Sequence, residues 1–258
     1  MNVLMVGDIV WPDAVAYLAG RLPGLRRAYD VDLVVANAEN CAVTAPRRGG
    51  VFGMTVGLVE RLLENGVDVV TSGNHGWGGP EAEAVHRHPR VLRPHNVLEE
   101  AVGKGVVTLE IGGELVSVVN LGSTTAAMPR ALPPYESWLA AGLEGTVIVD
   151  FHGDSAWEKM EFATAVDGKA AAVLGTHTHE PTFNLHLLPR GTALVVDVGM
   201  TGPSGSPGGF RLEHFAARMK GEDPAPLPPF ELAEGPTTLG AVWLRIERGK
   251  TLEVERVG

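Results

Sequence analysis

Apolar, β-branched residues fall into short runs along this chain, separated by polar segments that contain glycine and proline. Most of these runs are nearly continuous rather than alternating, which is typical of strands buried on both faces. We predict strands at residues 3–6, 32–36, 67–71, 105–111, 115–121, 146–149, 170–174, 192–196, 240–246 and 251–257.

Helical spacing of apolar residues separates the early strands. Residues 13–29 and 55–65 carry apolar side chains every three or four positions, which predicts two amphipathic helices. Thr55 is a candidate N-cap of the second helix and Gly66 a candidate stop. A third helix is predicted at 212–220. Strands that alternate with helices indicate βαβ units and a largely parallel beginning.

The later strands pair differently, because tight turns separate them. Residues 106–121 and 241–257 each predict a β-hairpin. The fold class is therefore α/β, with two mixed β-sheets packed face to face and flanked by helices. We predict a single domain over residues 1–258. The Gly- and Pro-rich segment 199–236 is too long for a simple connector and predicts a lid or a rim loop.

The charge balance narrows the class of ligand. The chain has 21 basic and 31 acidic residues, which give a formal net charge of -10. An extended nucleic acid partner is not expected, since binding along the phosphate backbone needs a basic surface. A small anionic substrate remains open, because bound metal cations can reverse the charge locally.

The cysteine count and the apolar runs indicate the compartment. The single cysteine, Cys41, excludes an internal disulfide framework and is interpreted as a packing residue. The N-terminus lacks the charged region of a signal peptide, and no apolar run approaches the roughly 20 residues of a membrane helix. We expect a soluble cytoplasmic protein without a membrane segment.

Residue types that bind metals follow five of the predicted strands. They are Asp8, Glu39, Asn40, Asn74, His152, His177 and His179. In α/β sheets, loops beyond the carboxyl ends of strands converge at one edge, which would bring these side chains into one crevice. So many ligands exceed the need of one tetrahedral ion and suit two ions that share a bridging group.

Each of these residues alone has an ordinary structural explanation. Asp8 is a candidate helix N-cap, and residues 39–40 suit a solvated turn. A lone histidine such as His152 is more often a hydrogen-bonded structural residue than a ligand. The pair His177 and His179 is harder to dismiss, since residues two apart in an extended segment point to the same side. Taken together, the five strand ends predict a metal site.

The motifs follow one another in a recognisable order. They read Gly-Asp at 7–8, Gly-Asn-His at 73–75, a histidine at 152 and Gly-Thr-His-Thr-His at 175–179. In this order they resemble the blocks of the calcineurin-like metallophosphoesterases. The chain more narrowly resembles the YmdB-like branch of bacterial cyclic-nucleotide phosphodiesterases. The stretches that carry this resemblance are 7–10, 37–40, 73–75, 150–152, 197–203 and 234–238.

Two departures from the broad superfamily pattern fit that branch. Val10 stands where the superfamily has a histidine, and Glu39 replaces the bridging aspartate. The YmdB-like branch shares both departures, and the resemblance implies that Asn40 completes the first metal site. It also implies the calcineurin-like four-layer αββα sandwich.

The resemblance further implies a role for each candidate residue. Glu39 would bridge two metals, and His75 would be the general acid. The implied ligands are Asp8, Glu39, Asn40 and His179 for one metal, and Glu39, Asn74, His152 and His177 for the other.

The predicted activity is that of a two-metal phosphodiesterase on small phosphodiesters, with 2′,3′- or 3′,5′-cyclic nucleotides as expected substrates. Two ions would lower the pKa of a bridging water, and the resulting hydroxide would attack phosphorus. His75, with an ordinary pKa near 6.5, would protonate the leaving alkoxide. Mixed nitrogen and oxygen ligation suits Fe, Mn or Zn. The resemblance favours iron, with manganese able to substitute and zinc a weaker candidate.

Further residues are candidates for supporting roles. Arg47 and Arg48 would reach a substrate phosphate, with an exposed basic loop as the alternative. Asp150 and Asp197 would orient histidine ligands, with strand-end caps as the alternative.

Two other functions remain open at this point. One is a phosphomonoesterase that uses the same metals, and the other is a non-catalytic signalling module that binds nucleotide or protein. An RNA-binding role is weaker, because the net charge of -10 opposes it. The oligomeric state stays open, a homo-oligomer included.

Overall fold

Two large β-sheets packed face to face, with helices on the outer face of each, form the core of the protein. The computed structural model describes residues 1–43, 52–97, 101–125, 131–227 and 230–257. The strands are β1 (Asn2–Val6), β2 (Leu33–Asn37), β3 (Val69–Thr71), β4 (Val91–Leu92), β5 (Val106–Ile111), β6 (Glu114–Gly122), β7 (Thr146–His152), β8 (Ala172–Thr176), β9 (Leu185–Leu187), β10 (Ala193–Val195), β11 (Gly202–Pro203), β12 (Thr237–Thr238), β13 (Ala241–Glu247) and β14 (Lys250–Val257). The α-helices are α1 (Pro12–Ala28), α2 (Val56–Glu64), α3 (Ala82–His86), α4 (Pro134–Ala140), α5 (Ala156–Ala165) and α6 (Glu213–Lys220).

Both sheets are mixed, as predicted. The first has the strand order β14-β13-β1-β2-β3-β4, in which β1 to β4 are parallel and the β13–β14 hairpin is antiparallel. The second has the order β5-β6-β7-β8-β10-β9, in which β6, β7, β8 and β10 are parallel. In each sheet, neighbouring parallel strands therefore end at the same edge, which is where the candidate ligands follow.

Alternation along the strands builds the four layers. Side chains of β1 point to opposite faces in turn, so Val3 and Met5 pack against the second sheet while Leu4 and Val6 pack under α1 and α2. On the far side of the second sheet, α4 and α5 cover its outer face, with the Phe162 ring 5.1 Å from that of Phe151. The αββα sandwich is thus confirmed.

The helices were predicted less completely than the strands. The predicted helices 13–29, 55–65 and 212–220 correspond to α1, α2 and α6, and Thr55 caps α2 by accepting a hydrogen bond from the Leu58 backbone N–H. No bounds were predicted for α3, α4 or α5. Within the described ranges, no helix combines the length and the apolar character needed to cross a membrane.

Lys159 explains why α5 escaped the pattern. This lysine occupies a buried position of α5, where its ammonium group donates to the Thr176 carbonyl oxygen and lies 3.2 Å from an Asp197 carboxylate oxygen. A charged residue on the inner face breaks the apolar period that a sequence reading depends on.

Strand β7 also differs from its prediction. The predicted strand ended at residue 149, but β7 continues through Asp150 and Phe151 to His152. Pairing with β6 and β8 on both sides extends to the end of the strand, with His152 opposite Gly122 and Thr176. His152 therefore projects from a rigid strand end rather than from a loop.

The segment 199–236, called here the rim segment, is held to the sandwich at its two ends. β11 pairs with β12 in a small antiparallel sheet, and Thr201 forms a parallel bridge with Ile9. Phe210 forms an antiparallel bridge with Leu232. Described residues of the rim segment are therefore paired with one another and with the edge of the sandwich.

Burial of the single thiol gives a testable consequence. Cys41 is fully buried, and desolvation raises the pKa of its thiol to about 12. Because the thiolate is the reactive form, we expect no labelling of the native protein by a disulfide reagent at about pH 8, and one equivalent after unfolding. Rapid labelling of the native protein would show that this side chain is accessible.

Candidate metal centre

The carboxyl ends of β1, β2 and β3 meet those of β7 and β8 where the edges of the two sheets face each other. The backbone N–H of His177, after β8, donates to Asp8 Oδ2 after β1 at 2.9 Å. The backbone N–H of His75, after β3, donates to Glu39 Oε2 after β2 at 3.0 Å. The loops of both sheets are thereby fixed to one another, and the seven predicted ligands share one cleft.

One half of this cleft surrounds the His152 ring. Asn74 Oδ1 lies 2.9 Å, His177 Nδ1 3.0 Å and Glu39 Oε2 3.3 Å from His152 Nε2. Ligand atoms of Glu39, His152 and His177 all lie within 4.8 Å of one another. Such spacing is suitable for a single ion.

The hydrogen bonds around the His152 ring indicate which of its two nitrogens carries the lone pair. The Thr176 hydroxyl donates to Asp150 Oδ1 at 2.7 Å, so its oxygen accepts from His152 Nδ1 at 2.9 Å. His152 Nε2 is then left without a proton. Nε2 of His177 lies 2.9 Å from the Asp154 carboxylate, and the other ring nitrogen of His177, Nδ1, points at His152 Nε2.

Four atoms of the types that bind metals therefore face one another in this half. Two are the imidazole nitrogens of His152 and His177, and two are the oxygens of Asn74 and Glu39. Nitrogen and oxygen donors gathered in this way suit the coordination of a cation. The donor set in this half fits a metal ion.

The other half of the cleft contains Asp8, Asn40 and His179. Asp8 Oδ1 and Asn40 Oδ1 are buried and have no hydrogen-bond partner among the residues that the structure describes. His179 Nδ1 donates to the Gly208 carbonyl oxygen of the rim segment at 2.9 Å, and its Nε2 lies 3.4 Å from Asn40 Nδ2. Orphaned buried oxygens beside a free imidazole nitrogen also fit a cation.

Glu39 joins the two halves. Its Oε1 accepts from Asn40 Nδ2 at 2.9 Å, on the side of His179. Its Oε2 accepts from the His75 N–H and faces His152. Each carboxylate oxygen thus lies in a different half, as a bridging ligand requires.

Burial makes the site strongly unfavourable for negative charge. Desolvation, and next the neighbouring Asp8, raise the pKa of Glu39 well above its usual value. Desolvation likewise raises the pKa of Asp8. Desolvation and the neighbouring His177 lower the pKa of His152 well below its usual value, so this ring is neutral at pH 7. Deprotonated carboxylates beside neutral imidazoles are the ligand forms that metal ions bind.

His75 differs from the sequence-based assumption of an ordinary pKa. Desolvation, followed by the charges of His177 and His179, lowers the pKa of His75 to about 4. Its imidazole is therefore neutral at pH 7 before substrate binds. The ring packs against Phe52, with 4.1 Å between the ring centroids.

The two histidines of the 175–179 motif are not in an extended segment. β8 ends at Thr176, and His177 and His179 adopt positive φ values of 99° and 65°. The premise that they share one side of a strand was wrong, although both rings do face the cleft. Non-glycine residues with positive φ are uncommon, and such strain is concentrated at functional sites.

The two supporting aspartates act differently from each other. Asp150 reaches the His152 ring through the Thr176 hydroxyl, and Asn37 Nδ2 donates to its Oδ2 at 3.0 Å. Asp197 makes no hydrogen bond to a histidine ring within the described residues. It instead accepts from the Thr178 backbone N–H and pairs with Lys159, and thereby holds the loop that carries His177.

Sequence reasoning missed three groups that touch the ligands. They are Asp154, the Thr176 hydroxyl and the carbonyl group of Gly208. Only the position of Thr176 inside a motif gave any signal, because a backbone carbonyl and an exposed aspartate have no distinctive pattern. The predicted substrate residues Arg47 and Arg48 lie outside the described residues.

Known proteins resemble the chain over its whole length. The profile of the family described as "YmdB-like protein" matches residues 4–257. A Bacillus subtilis (strain 168) protein named 2′,3′-cyclic-nucleotide 2′-phosphodiesterase is 32% identical over 264 residues, covering 100% of this chain and 96% of the relative.

Solved structures agree with this match. A protein from Thermus thermophilus, described as hypothetical, is 35% identical with a TM-score of 0.87, covering 100% of this chain and 98% of that one. A Mycoplasma pneumoniae protein described as a novel phosphatase is 27% identical with a TM-score of 0.88, covering 100% and 92%. The chain belongs to the YmdB-like family of calcineurin-like metallophosphoesterases.

Proposed function

We propose that the chain is a two-metal phosphodiesterase that hydrolyses small phosphodiesters, with 2′,3′- or 3′,5′-cyclic nucleotides as its substrates. The coarser activity, hydrolysis of phosphoric esters, follows from its family and from the activities named for its relatives. The observation that carries the proposal is the cleft in which carboxylate, amide and imidazole groups gather on both sides of Glu39.

The metallophosphoesterase fold implies divalent metal ions, and the donor set supports two. Glu39 would take part in both sites. The ligands would be Asp8, Asn40 and His179 on one side, and Asn74, His152 and His177 on the other. When bound, the ions supply Lewis-acid stabilisation of phosphoryl charge and activation of the attacking water. Mixed nitrogen and oxygen ligands suit iron, manganese or zinc. The resemblance to the YmdB-like branch favours iron, with manganese as a substitute and zinc as a weaker candidate.

His75 is proposed as the general acid. Its ring is half-buried, and its backbone N–H is fixed to Glu39, so the ring stands at the edge of the cleft. Its pKa of about 4 is too low for a protonated imidazole at neutral pH. A bound phosphodiester anion raises the pKa of a neighbouring histidine, because it favours the charged imidazolium. Substrate binding would thus bring the proton to the group that must donate it.

The choice of a cyclic nucleotide rests on a relative. The Bacillus subtilis protein is named 2′,3′-cyclic-nucleotide 2′-phosphodiesterase, and the alignment with it covers the whole of this chain. A phosphomonoesterase using the same metals is the second candidate, because the Mycoplasma pneumoniae relative is described as a phosphatase.

Single-domain organisation over 1–258 and a cytoplasmic location stay predictions, and a homo-oligomer remains open.

Turnover of a substrate panel tests this function. The metal-loaded protein is expected to cleave 2′,3′- or 3′,5′-cyclic AMP faster than simple phosphate monoesters. His75→Asn should lower kcat for the cyclic nucleotide by about 10²- to 10⁴-fold, because the ribose oxygen leaves as a poor leaving group without a proton. The loss should be much smaller for a p-nitrophenyl diester, whose leaving group needs no protonation.

Exclusive cleavage of monoesters would overturn the substrate assignment. An equal effect of His75→Asn on both leaving groups would overturn the general-acid role, because only proton donation depends on the basicity of the leaving oxygen. Metal content measured in parallel separates either result from simple loss of the ions.

A methyl group at Gly73 tests whether this cleft is the metal site. A Cβ at this position would lie 2.2 Å from His152 Nε2 and 2.3 Å from Glu39 Oε2, so Gly73→Ala must displace two proposed ligands. We expect the affinity for Mn²⁺, measured by calorimetry, to fall on the order of 10- to 100-fold.

Gly57→Ala is the matched control, since a Cβ at Gly57 in α2 meets no atom within 4 Å. Its Mn²⁺ affinity should equal that of the wild type. Unchanged affinity in a folded Gly73→Ala protein would place the metals elsewhere.

A further inference from the structure

A chain of phenylalanine rings extends from the proposed general acid to a proposed metal ligand. Phe52 lies 4.1 Å from His75, and Phe230 lies 5.1 Å from Phe52, both between ring centroids. Phe210 lies 5.8 Å from Phe230 and 6.1 Å from His179. These three rings, Phe52, Phe230 and Phe210, are called here the aromatic rim.

We propose that the aromatic rim is the surface on which the base of a nucleotide substrate stacks. This inference rests on the proposed function and specifies its substrate class: a phosphodiester that carries a planar heteroaromatic group on its leaving side. Three observations carry it, namely the exposure of the rings, their anchoring and their position beside His75.

The rings of the aromatic rim keep part of their surface exposed beside the cleft. Phe230 keeps 38% of its surface exposed, and Phe52 and Phe210 are only partly buried. The side chains of the adjoining cleft are polar and almost completely buried, so the rings are not simply the edge of a core. Exposed apolar surface beside a polar cleft is typical of ligand-binding sites, because a ligand with an apolar face removes it from water.

Backbone pairing holds two of the three rings, Phe210 and Phe230, in place. The Arg211 N–H donates to the Glu231 carbonyl oxygen at 2.6 Å, and the Ala233 N–H to that of Gly209 at 2.9 Å. These bonds join the part of the rim segment that carries Phe210 to the part that carries Phe230. Phe230 itself has a φ of 57°, a left-handed conformation that is rare for a bulky side chain and is characteristic of ligand-contacting positions.

The position of the rings matches the leaving side of the reaction. His75 protonates the departing ribose oxygen in the proposed mechanism, so the ribose must lie against its ring. The base is attached to that same ribose and therefore lies a few ångströms beyond His75. Phe52 and Phe230 occupy the next two positions in the chain of rings. Every base has a π-face, so such a surface would accept several bases.

Two cyclic phosphates, one with a base and one without, test the proposal. The Mn²⁺-loaded enzyme is assayed with 2′,3′-cyclic AMP and with glycerol 1,2-cyclic phosphate, which shares the five-membered phosphate ring. Phe230→Ala should raise KM for the nucleotide about tenfold and leave KM for the glycerol compound unchanged, with kcat for both within about twofold.

Two further variants separate stacking from packing. Phe230→Leu keeps apolar bulk without a π-face and should show the same selective rise in KM, and Phe230→Trp should restore a wild-type KM. Phe183→Ala is the matched control, because Phe183 is 95% exposed and belongs to no ring contact of the aromatic rim. It should leave both KM values unchanged.

The results that contradict the inference are distinct from those that contradict the function. A wild-type KM for the nucleotide in Phe230→Leu, or an equal rise in KM for both compounds in Phe230→Ala, overturns stacking while leaving phosphodiesterase activity intact. Failure of the wild-type enzyme to cleave 2′,3′-cyclic AMP, 3′,5′-cyclic AMP and glycerol 1,2-cyclic phosphate alike overturns the proposed function and the base site with it.

Discussion

Burying the carboxylates of Glu39 and Asp8 away from water costs free energy unless positive charge offsets their own. Inside this cleft His152 and His75 do not supply that charge, because burial keeps both rings neutral at pH 7. The pKa of each carboxyl group is raised accordingly, with desolvation as the largest cause. Metal cations would remove this cost, and they would do so most effectively next to Glu39, whose two oxygens face the two halves of the site. The surrounding residues hold Glu39 and Asp8 in the positions where metal cations would offset their negative charge.

The fold provides the support from three directions. Parallel strands of both sheets end at a common edge, and Asn37 of the first sheet donates to Asp150 of the second, so the two edges are fixed to each other. Asp150 then sets the protonation of the His152 ring through a hydroxyl group. The rim segment does the same for His179 through the Gly208 carbonyl group. A segment that looks like a connector in the sequence therefore orients a proposed metal ligand, and it also carries two rings of the aromatic rim.

The strands, and the residues that follow them, could be predicted because both depend on local sequence pattern. Runs of buried β-branched residues predicted nearly every long strand. The metal-binding residue types that follow those runs predicted the cleft. What could not be predicted depends on contacts between distant parts of the chain. Lys159 hides the inner face of α5 because its partner, Asp197, is far away in sequence. The low pKa of His75 results from burial beside two histidines about a hundred residues later. His177 and His179 have positive φ angles in a loop whose backbone N–H groups donate to Asp8 and Asp197. Because these two aspartates are distant in sequence, the local pattern of the motif could not predict this conformation.

The metal content of the purified protein tests most directly whether two metal ions share Glu39. Protein purified without chelator and reconstituted with Mn²⁺ should contain about two equivalents per chain by elemental analysis. Glu39→Ala should bring the content below about one equivalent, because it removes a ligand from both ions at once, whereas Glu253→Ala on the exposed hairpin should leave it unchanged. Fewer than about two equivalents in the wild type, or a full complement in Glu39→Ala, would contradict a shared bridge.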